Sequence, residues 1–248
     1  MIRIAAVGDV HLGENAQGRL RPALENLRER ADVLLLAGDL TRHGTPAEAR
    51  IVAREFADLG LPVLAVLGNH DYHADAVDEV TAILDGEAGI RVLEGDGVVL
   101  PVDGTRLGVA GVKGFAGGFE GRCASAFGEP EMKVFVEHTV DIADSLRSAL
   151  KELDADVRVA LMHYSPVPDT LHGEPLEIYP FLGAYQLGEV VDEVGAALAV
   201  HGHAHSGCEH GVTPAGVRVR NVAQPVIRSA YALYCLEDHA PPAAGEHA

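Results

Sequence analysis

Short runs of aliphatic residues recur along this chain, and each is bounded by Gly, Pro or Asp. Within a run the apolar residues follow one another instead of alternating with polar ones, which is typical of strands buried on both faces of a sheet. The strands predicted in this way are Ile2–Val7, Val33–Ala37, Val63–Leu67, Val157–Met162 and Leu198–Val200.

Helical patterns separate the early strands and continue later in the chain. The predicted helices are Leu20–Arg30, Pro46–Leu59, Ala76–Leu84, Lys133–Leu153 and Leu187–Val194. Pro46 suits the first turn of a helix, and Thr45 before it suits an N-cap. Alternation of strand and helix at this spacing predicts βαβ units and a largely parallel sheet.

In two regions the predicted strands are short and close together, with turn signals such as EGDG and VDGT between them and no helix. We expect these segments to form antiparallel hairpins that complete a second sheet. Their predicted strands are Ile90–Leu93, Val98–Pro101, Arg106–Val112, Val217–Val222 and Tyr231–Leu236. The pattern predicts one domain over residues 1–236, followed by a disordered tail over 237–248 whose histidines are bystanders.

Composition narrows the possible functions. The 248 residues are 48% hydrophobic and 23% charged, so a full globular core can form. The net charge is -18, from 37 acidic against 19 basic residues, and no basic run is present. Nucleic-acid binding is therefore not expected, because it normally requires a basic patch.

The cysteines and the lengths of the apolar segments indicate the cellular compartment of the protein. Cys123, Cys208 and Cys235 are an odd number without CxxC spacing, which favours a reducing environment over a disulfide framework. No apolar stretch approaches the roughly 18 residues of a membrane span, and the first residues lack a signal-peptide pattern. We expect a soluble cytoplasmic protein without membrane association; no sequence pattern indicates its oligomeric state.

The five main strands end in a shared way. Their ends read VGDVHLG, LAGDLTRHG, LGNHD, LMHYSP and VHGHAHSG, so each finishes on Asp, Asn or His, usually beside Gly. Because ligands bind at the carboxyl ends of parallel strands, these side chains should converge on one edge. The two-residue spacing of Asp9 and His11, and of His203 and His205, would point each pair to one side of an extended chain.

One GD or GN is ordinary turn chemistry, but five ordered strand ends are not. Carboxylate, amide and imidazole donors suit Mn, Fe, Zn or Co and disfavour a thiolate site. Histidines outside this pattern are expected to make ordinary local hydrogen bonds. These are His73, His138, His172 and His210.

The segments D-x-H, GD, GNHD, a lone H after a strand and GHxH, in this order, resemble the calcineurin-like metallophosphoesterases. The resemblance implies an α/β fold built as a four-layer αββα sandwich, with two mixed sheets packed together and helices outside. It also implies two divalent or trivalent metal ions. The first would be held by Asp9, His11, Asp39 and His205, and the second by Asp39, Asn69, His163 and His203, with Asp39 bridging.

The same resemblance assigns His70 as a catalytic residue that binds no metal and faces the substrate and its leaving group. A hydroxide held between two metal ions would attack the phosphorus in line, while the metals bind the non-bridging oxygens. No phosphorylated enzyme is required.

The second segment departs from the GD-x-x-D-R-G of the related Ser/Thr protein phosphatases. Arg42 stands at the position of the second Asp, which orients the catalytic histidine in those enzymes, so protein phosphatase activity is disfavoured and the partner of His70 stays open. Asp71 is adjacent to His70 and is one candidate for that partner; the alternative is that Asp71 holds the turn through backbone hydrogen bonds. His43 stands at the phosphate-binding Arg position and is a candidate substrate contact. His201 is expected to support the site or face solvent.

The family includes several phosphoester hydrolases. A small domain and the GNHD segment favour a phosphodiesterase that acts on small substrates, with nucleotides among the candidates. The alternatives within this fold are a phosphomonoesterase or an exonuclease, and the exonuclease is considered because GDVHLG is similar to the opening segment of those enzymes. An alternative from a different class is a catalytically silent metal-binding scaffold. The segments 113–131 and 164–182 are candidates for substrate specificity because they follow strand ends.

Overall fold

Thirteen β-strands are present in the computed structural model, which describes residues 1–236. The predicted tail at 237–248 lies outside the described residues. The strands are β1 (Ile2–Val7), β2 (Val33–Ala37), β3 (Val63–Val66), β4 (Ile90–Val92), β5 (Asp96–Val102), β6 (Thr105–Val112), β7 (Gly118–Phe119), β8 (Arg122–Cys123), β9 (Val157–Met162), β10 (Leu198–His201), β11 (His210–Val212), β12 (Arg218–Asn221) and β13 (Ala232–Leu236).

Helices connect most of these strands. The α-helices are α1 (Arg21–Leu24), α2 (Leu27–Arg30), α3 (Pro46–Phe56), α4 (Val77–Ala82), α5 (Pro130–Glu152), α6 (Tyr179–Leu182), α7 (Tyr185–Glu193) and α8 (Gln224–Ile227). A π-helical turn follows α4 at Ile83–Glu87, and short 3-10 helices form at Asn69–Tyr72, Pro168–Leu171 and Leu176–Ile178. Among the described residues, no helix combines the length and apolar character needed to cross a membrane.

The strands form two mixed sheets and one small hairpin. The first sheet has the order β13-β1-β2-β3-β4, in which β1 to β4 are parallel and β13 is antiparallel to β1. The second has the order β11-β12-β10-β9-β6-β5, with four parallel strands inside and an antiparallel strand at each edge. The hairpin joins β7 to β8.

Side chains on alternate faces of each strand build separate layers of core. In β2, Leu35 points into an apolar cluster shared with Val159 and Val200 of the other sheet, while Leu34 and Leu36 pack under the helices of the first half. A third cluster packs α5 and α7 against the outer face of the second sheet. The arrangement is helix, sheet, sheet, helix, so the expected four-layer α/β sandwich with two mixed sheets is confirmed.

Most predicted elements are present within a few residues of their expected bounds. Thr45 caps α3 as expected, because its hydroxyl accepts a hydrogen bond from the backbone N–H of Glu48 at 3.2 Å. The helix predicted over Leu20–Arg30 is instead two short helices, because Asn26 leaves the helical region of φ and ψ.

Strand pairing in the hairpin regions was only partly predicted. The β5–β6 hairpin is antiparallel as expected, but β4 joins the first sheet parallel to β3. Strand β12 is antiparallel to β11, as expected of a hairpin, but it also pairs in parallel with β10, and β13 crosses to the edge of the first sheet. The burial pattern of a strand does not specify which strand it pairs with, which is why the predicted antiparallel pairings of these strands were wrong.

Candidate metal centre

The carboxyl ends of parallel strands from both sheets meet at one rim. The link between the sheets is direct, because the imidazole Nδ1 of His163 after β9 donates to the carbonyl of Ala37 at the end of β2, at 2.9 Å. The backbone N–H of Gly202 after β10 in turn donates to the carbonyl of His163 at 3.1 Å. The predicted convergence of strand ends is therefore present in the structure.

A first group of possible metal ligands consists of Asp9, His11, Asp39 and His205, whose donor atoms all lie within 4.8 Å of one another. The Nε2 atom of His205 is 2.8 Å from Asp9 Oδ1 and 3.4 Å from His11 Nε2. The Nε2 atom of His11 is 3.8 Å from Asp39 Oδ2. These separations are short enough for all four side chains to contact a single ion.

A second group shares Asp39 and adds His163 and His203, again with donor atoms within 4.8 Å. The Nε2 atom of His163 is 3.4 Å from Asp39 Oδ1 and 3.0 Å from the side-chain oxygen of Asn69. One oxygen of the Asp39 carboxylate thus faces each group. The structure brings together all seven residues that the family resemblance names as ligands.

Backbone turns aim these side chains, not the alternation of an extended strand. Asp9, His11, Asp39 and His203 all have positive φ, at 55°, 42°, 50° and 70°. A left-handed conformation is unusual for residues other than glycine, and such strain is concentrated at functional sites. The expectation that i and i+2 side chains converge through strand alternation was therefore right in outcome and wrong in cause.

Glycines beside the strand ends leave room for the ligands. A Cβ atom at Gly68 would overlap the carboxylate of Asp39, and one at Gly202 would overlap that of Asp9. At Gly38, which also has a φ of 80°, a Cβ atom would overlap the ring of His163. The recurring Gly of the strand ends is thus a packing requirement of the site.

Backbone carbonyls orient two of the imidazoles. Because His163 donates from Nδ1 to Ala37, its Nε2 atom carries the free lone pair that faces Asp39. In His203 the Nε2 atom lies 3.2 Å from the carbonyl of Phe181, which leaves Nδ1 as its free donor atom. Hydrogen bonds of this kind are the usual means of selecting the nitrogen that binds a metal.

Burial determines the charge of these groups. It lowers the pKa of His163 and of His203 to about 3 and that of His11 to about 4, so all three rings are neutral at pH 7. Burial, together with the nearby Asp39, raises the pKa of Asp9 to about 6. The hydrogen bond to Asp9 raises the pKa of His205. The neutral rings of His11, His163 and His203 are in the form in which histidine binds metal.

His70 lies at the edge of the first group and belongs to neither. Its ring centroid is 4.5 Å from that of His11, and its Nδ1 atom donates to the carbonyl oxygen of Arg42 at 2.8 Å. The partner of His70 is therefore a backbone carbonyl, which the amino-acid identities could not reveal. The side chain of Arg42 does not take the place of the missing Asp.

Asp71 holds the turns that carry Asp39 and His70. Its buried carboxylate accepts hydrogen bonds from the backbone N–H groups of Leu40, Thr41 and Gly68 at 3.2, 2.8 and 2.8 Å, and from the Thr41 hydroxyl at 2.6 Å. The turn-holding alternative for Asp71 is confirmed.

Two further predicted histidines lie outside the ligand groups. His43 is exposed, and its Nδ1 atom is 3.0 Å from Glu48 Oε1, so its contact with substrate stays a prediction. His201 is fully buried and its Nε2 atom lies 2.8 Å from the hydroxyl oxygen of Thr170, so the solvent-facing alternative is wrong. The remaining histidines outside the strand-end pattern are exposed and belong to neither ligand group: His73, His138, His172 and His210.

Comparison with known proteins places this geometry in context. The family model described as calcineurin-like phosphoesterase matches residues 2–207. A curated protein of Synechococcus, named as a probable cyclic nucleotide phosphodiesterase, is 36% identical over 80 residues, which are 28% of this chain and 31% of that protein. The match to this relative therefore spans less than a third of its length.

Solved structures share the fold. The protein TT1561 of Thermus thermophilus is 19% identical with a TM-score of 0.54, over 89% of this chain and 88% of that one. GAP50, described as the anchor in the inner membrane complex of Plasmodium, is 14% identical with a TM-score of 0.55, over 90% of this chain and 72% of that one. At these identities the likeness concerns the fold alone.

Proposed function

Since this chain belongs to the calcineurin-like phosphoesterase family, we propose that it hydrolyses small phosphodiesters at a centre of two metal ions. The observation that carries the proposal is the pair of donor groups that share one carboxylate, with one oxygen of Asp39 facing each group. The partial match to a probable cyclic nucleotide phosphodiesterase supports diesters as substrates, with nucleotides among them.

The residues present fit metal ions. Donor atoms within 4.8 Å of one another match the spacing of ligands around an ion at about 2.0–2.3 Å. Asp9 and Asp39 are almost completely buried, and no Lys or Arg of residues 1–236 forms an ion pair with either. Two adjacent buried carboxylates require a compensating cation, which a metal ion would provide.

The ligand roles follow from the two groups. One ion would be held by Asp9, His11, Asp39 and His205, and the other by Asp39, Asn69, His163 and His203. All donors are oxygen or nitrogen atoms, so Mn, Fe, Zn or Co is the fitting choice. When bound, such a pair supplies Lewis-acid stabilisation of the phosphoryl oxygens and an activated water.

His70 would supply the proton that the leaving group needs. Its Nδ1–H remains bonded to the carbonyl of Arg42, so the opposite nitrogen, Nε2, faces away from the turn. In the imidazolium form Nε2–H can donate to the ester oxygen as its bond to phosphorus breaks. Because the carbonyl of Arg42 is neutral, it fixes the orientation of the His70 ring without placing a negative charge near an anionic substrate, as a carboxylate partner would.

Two broader properties are proposed with this function. The central apolar cluster contains side chains of both sheets, which supports one domain over residues 1–236. Cys123, Cys208 and Cys235 are free thiols, which supports the reducing, cytoplasmic environment expected from the sequence.

The proposal is tested by comparing bis-p-nitrophenyl phosphate with p-nitrophenyl phosphate after the protein is stripped of metal and Mn²⁺ is added back. Mn²⁺-dependent turnover with preference for the diester is the expected result. Preference for the monoester would indicate a phosphomonoesterase. Two bound ions without turnover of either ester would indicate a metal-binding scaffold.

Replacement of His70 by Ala should lower the rate ~10²–10⁴-fold, as for a lost general acid, while both ions remain bound. His210→Ala is the matched control, because that ring is exposed and lies outside both ligand groups. Loss of metal from the His70 variant would show that its role is misassigned.

A further inference from the structure

Lys113 lies beside the candidate metal centre without belonging to it. It follows β6 directly, and its carbonyl accepts hydrogen bonds from the backbone N–H groups of His163 and Tyr164 at 2.9 and 3.1 Å. The ring of Tyr164 is in turn 4.3 Å from the ring of His203. The side chain of Lys113 therefore lies next to the second group of possible metal ligands.

Three aromatic rings surround the ammonium group of Lys113. Its Nζ atom is 5.0 Å from the ring centroid of Tyr72, 5.2 Å from that of Phe115 and 5.5 Å from that of Tyr164. All three distances lie within the range of cation–π attraction, about 6 Å. The rings thus hold the cation at a defined place.

The ammonium group has unused hydrogen-bonding capacity. Of its three donors, one reaches the carbonyl of Gly114 at 3.4 Å, and no carboxylate in the described part of the chain forms an ion pair with it. The nearby carboxylate of Glu94 instead accepts the backbone N–H of Lys113 at 3.2 Å. Burial lowers the pKa of Lys113, an effect that Glu94 and Asp39 oppose.

The hydroxyl groups of Tyr72 and Tyr164 add two more donors. Within residues 1–236 neither hydroxyl forms a hydrogen bond, and neither is a fully buried atom without a partner, so both retain access to solvent or to a ligand. A partly desolvated cation packed against tyrosine rings whose hydroxyls are unpaired is suited to anionic oxygen atoms.

We propose that Lys113, Tyr72 and Tyr164 form an anion subsite beside the metal centre that binds an anionic oxygen of the substrate. The inference rests on the proposed phosphoester hydrolysis and adds a group that positions the substrate. The oxygen belongs either to the phosphoryl group that is cleaved or to a second anionic group on an ester arm. In a chain with a net charge of -18, a fixed cation beside the proposed metal ions adds to the attraction of such a substrate to the site.

Lys113→Met tests the subsite, because methionine keeps the unbranched stem and its contacts with the rings while removing the charge. Lys113→Arg keeps the charge, and Tyr72→Phe and Tyr164→Phe each remove one hydroxyl but retain the ring. Lys133→Met is the matched control, since Lys133 is an exposed lysine on α5.

Two chromogenic diesters separate the two sources of the anion. Bis-p-nitrophenyl phosphate has one anionic group, and 4-carboxyphenyl 4-nitrophenyl phosphate replaces one nitro group by a carboxylate of similar shape. Binding of inorganic phosphate and of the carboxylate diester to the Mn²⁺-loaded protein is measured by calorimetry beside the kinetics, so that one readout does not depend on turnover.

Loss of a charged hydrogen bond should raise KM, or weaken binding, about ten- to hundredfold in Lys113→Met, with metal content unchanged. An effect on both diesters and on inorganic phosphate assigns the anion to the cleaved phosphoryl group. An effect confined to the carboxylate diester assigns it to a second anionic group. Lys113→Arg should recover part of the loss, and Lys133→Met should match the wild type.

Unchanged binding of inorganic phosphate and of the carboxylate diester in Lys113→Met would overturn the subsite and reduce Lys113 to a packing role. This result is distinct from failure of the proposed function, which is absence of turnover in the wild-type protein. Weakened phosphate binding in Lys113→Met without turnover in the wild type would support the subsite and contradict the proposed hydrolysis.

Discussion

A single methyl group at Gly68 should disrupt the candidate metal centre. A Cβ atom added there would overlap both Oδ1 and the backbone nitrogen of Asp39, the residue shared by the two ligand groups. Gly68 has φ of -110° and ψ of 179°, which any residue can adopt. Gly68→Ala therefore introduces overlap with Asp39 and no backbone strain of its own.

The size of the effect follows from what can move. The strand before Gly68 is buried between packed layers, so relief must come mainly from displacement of the Asp39 carboxylate and its turn. Overpacking of this kind costs about 1–3 kcal/mol of folding free energy. Because each oxygen of Asp39 faces one ligand group, its displacement should weaken binding of both ions.

The assay combines metal analysis with urea unfolding of the metal-free protein. We expect Gly68→Ala to remain folded, to lose about 1–3 kcal/mol of stability and to retain less than one ion per chain at Mn²⁺ concentrations that saturate the wild type. Gly86→Ala is the matched control, because no atom lies within 4 Å of a Cβ atom placed there. Full metal content and full activity in Gly68→Ala would refute the steric argument and the bridging position of Asp39.

Three further substitutions test the shared carboxylate of Asp39, the turn held by Asp71 and the burial of Glu94. Asp39→Asn should abolish Mn²⁺-dependent turnover and lower metal content, and retention of both would contradict a shared carboxylate. Asp71→Asn should lower the free energy of unfolding in urea by about 2–4 kcal/mol, because the new amide NH2 would face N–H and O–H groups that now donate hydrogen bonds to the carboxylate. A change below about 0.5 kcal/mol, the usual range of surface substitutions, would count against the turn-holding role. Burial raises the pKa of Glu94, so its ionised form destabilises the fold at high pH and this effect disappears as pH falls through the folded-state pKa. The stability of the wild type relative to Glu94→Gln should therefore rise as the pH falls from alkaline values toward the usual pKa of a glutamate, and a pH-independent difference would contradict this.

The buried strands could be predicted because burial on both faces requires a recognisable sequence pattern. Leu34, Leu35 and Leu36 pack alternately on the two sides of β2, so a continuous aliphatic run was required there. The choice of pairing partner requires no such pattern. Ile90–Val92 has the same local pattern as an edge of a hairpin, yet it pairs in parallel with β3.

The candidate metal centre could be predicted as a set of residues but not as a geometry. The residue types at the strand ends indicate the candidate ligands, whereas the left-handed turns at Asp9 and Asp39 and the carbonyl that orients His70 arise from the folded backbone. Lys113 did carry a signal that could have been used. It also follows an aliphatic strand and precedes Gly, as VAGVKGF, but lysine differs from the Asp, Asn and His that mark the other strand ends.

The proposed function requires that two metal ions share Asp39 and together support phosphodiester hydrolysis. Its most direct test is the rate of bis-p-nitrophenyl phosphate hydrolysis by the metal-stripped protein as a function of added Mn²⁺ equivalents, under conditions of tight binding. For a centre of two ions, we expect a rate that rises until two equivalents per chain are bound and then stays constant. A plateau at one equivalent, or no hydrolysis at any ratio, would contradict it.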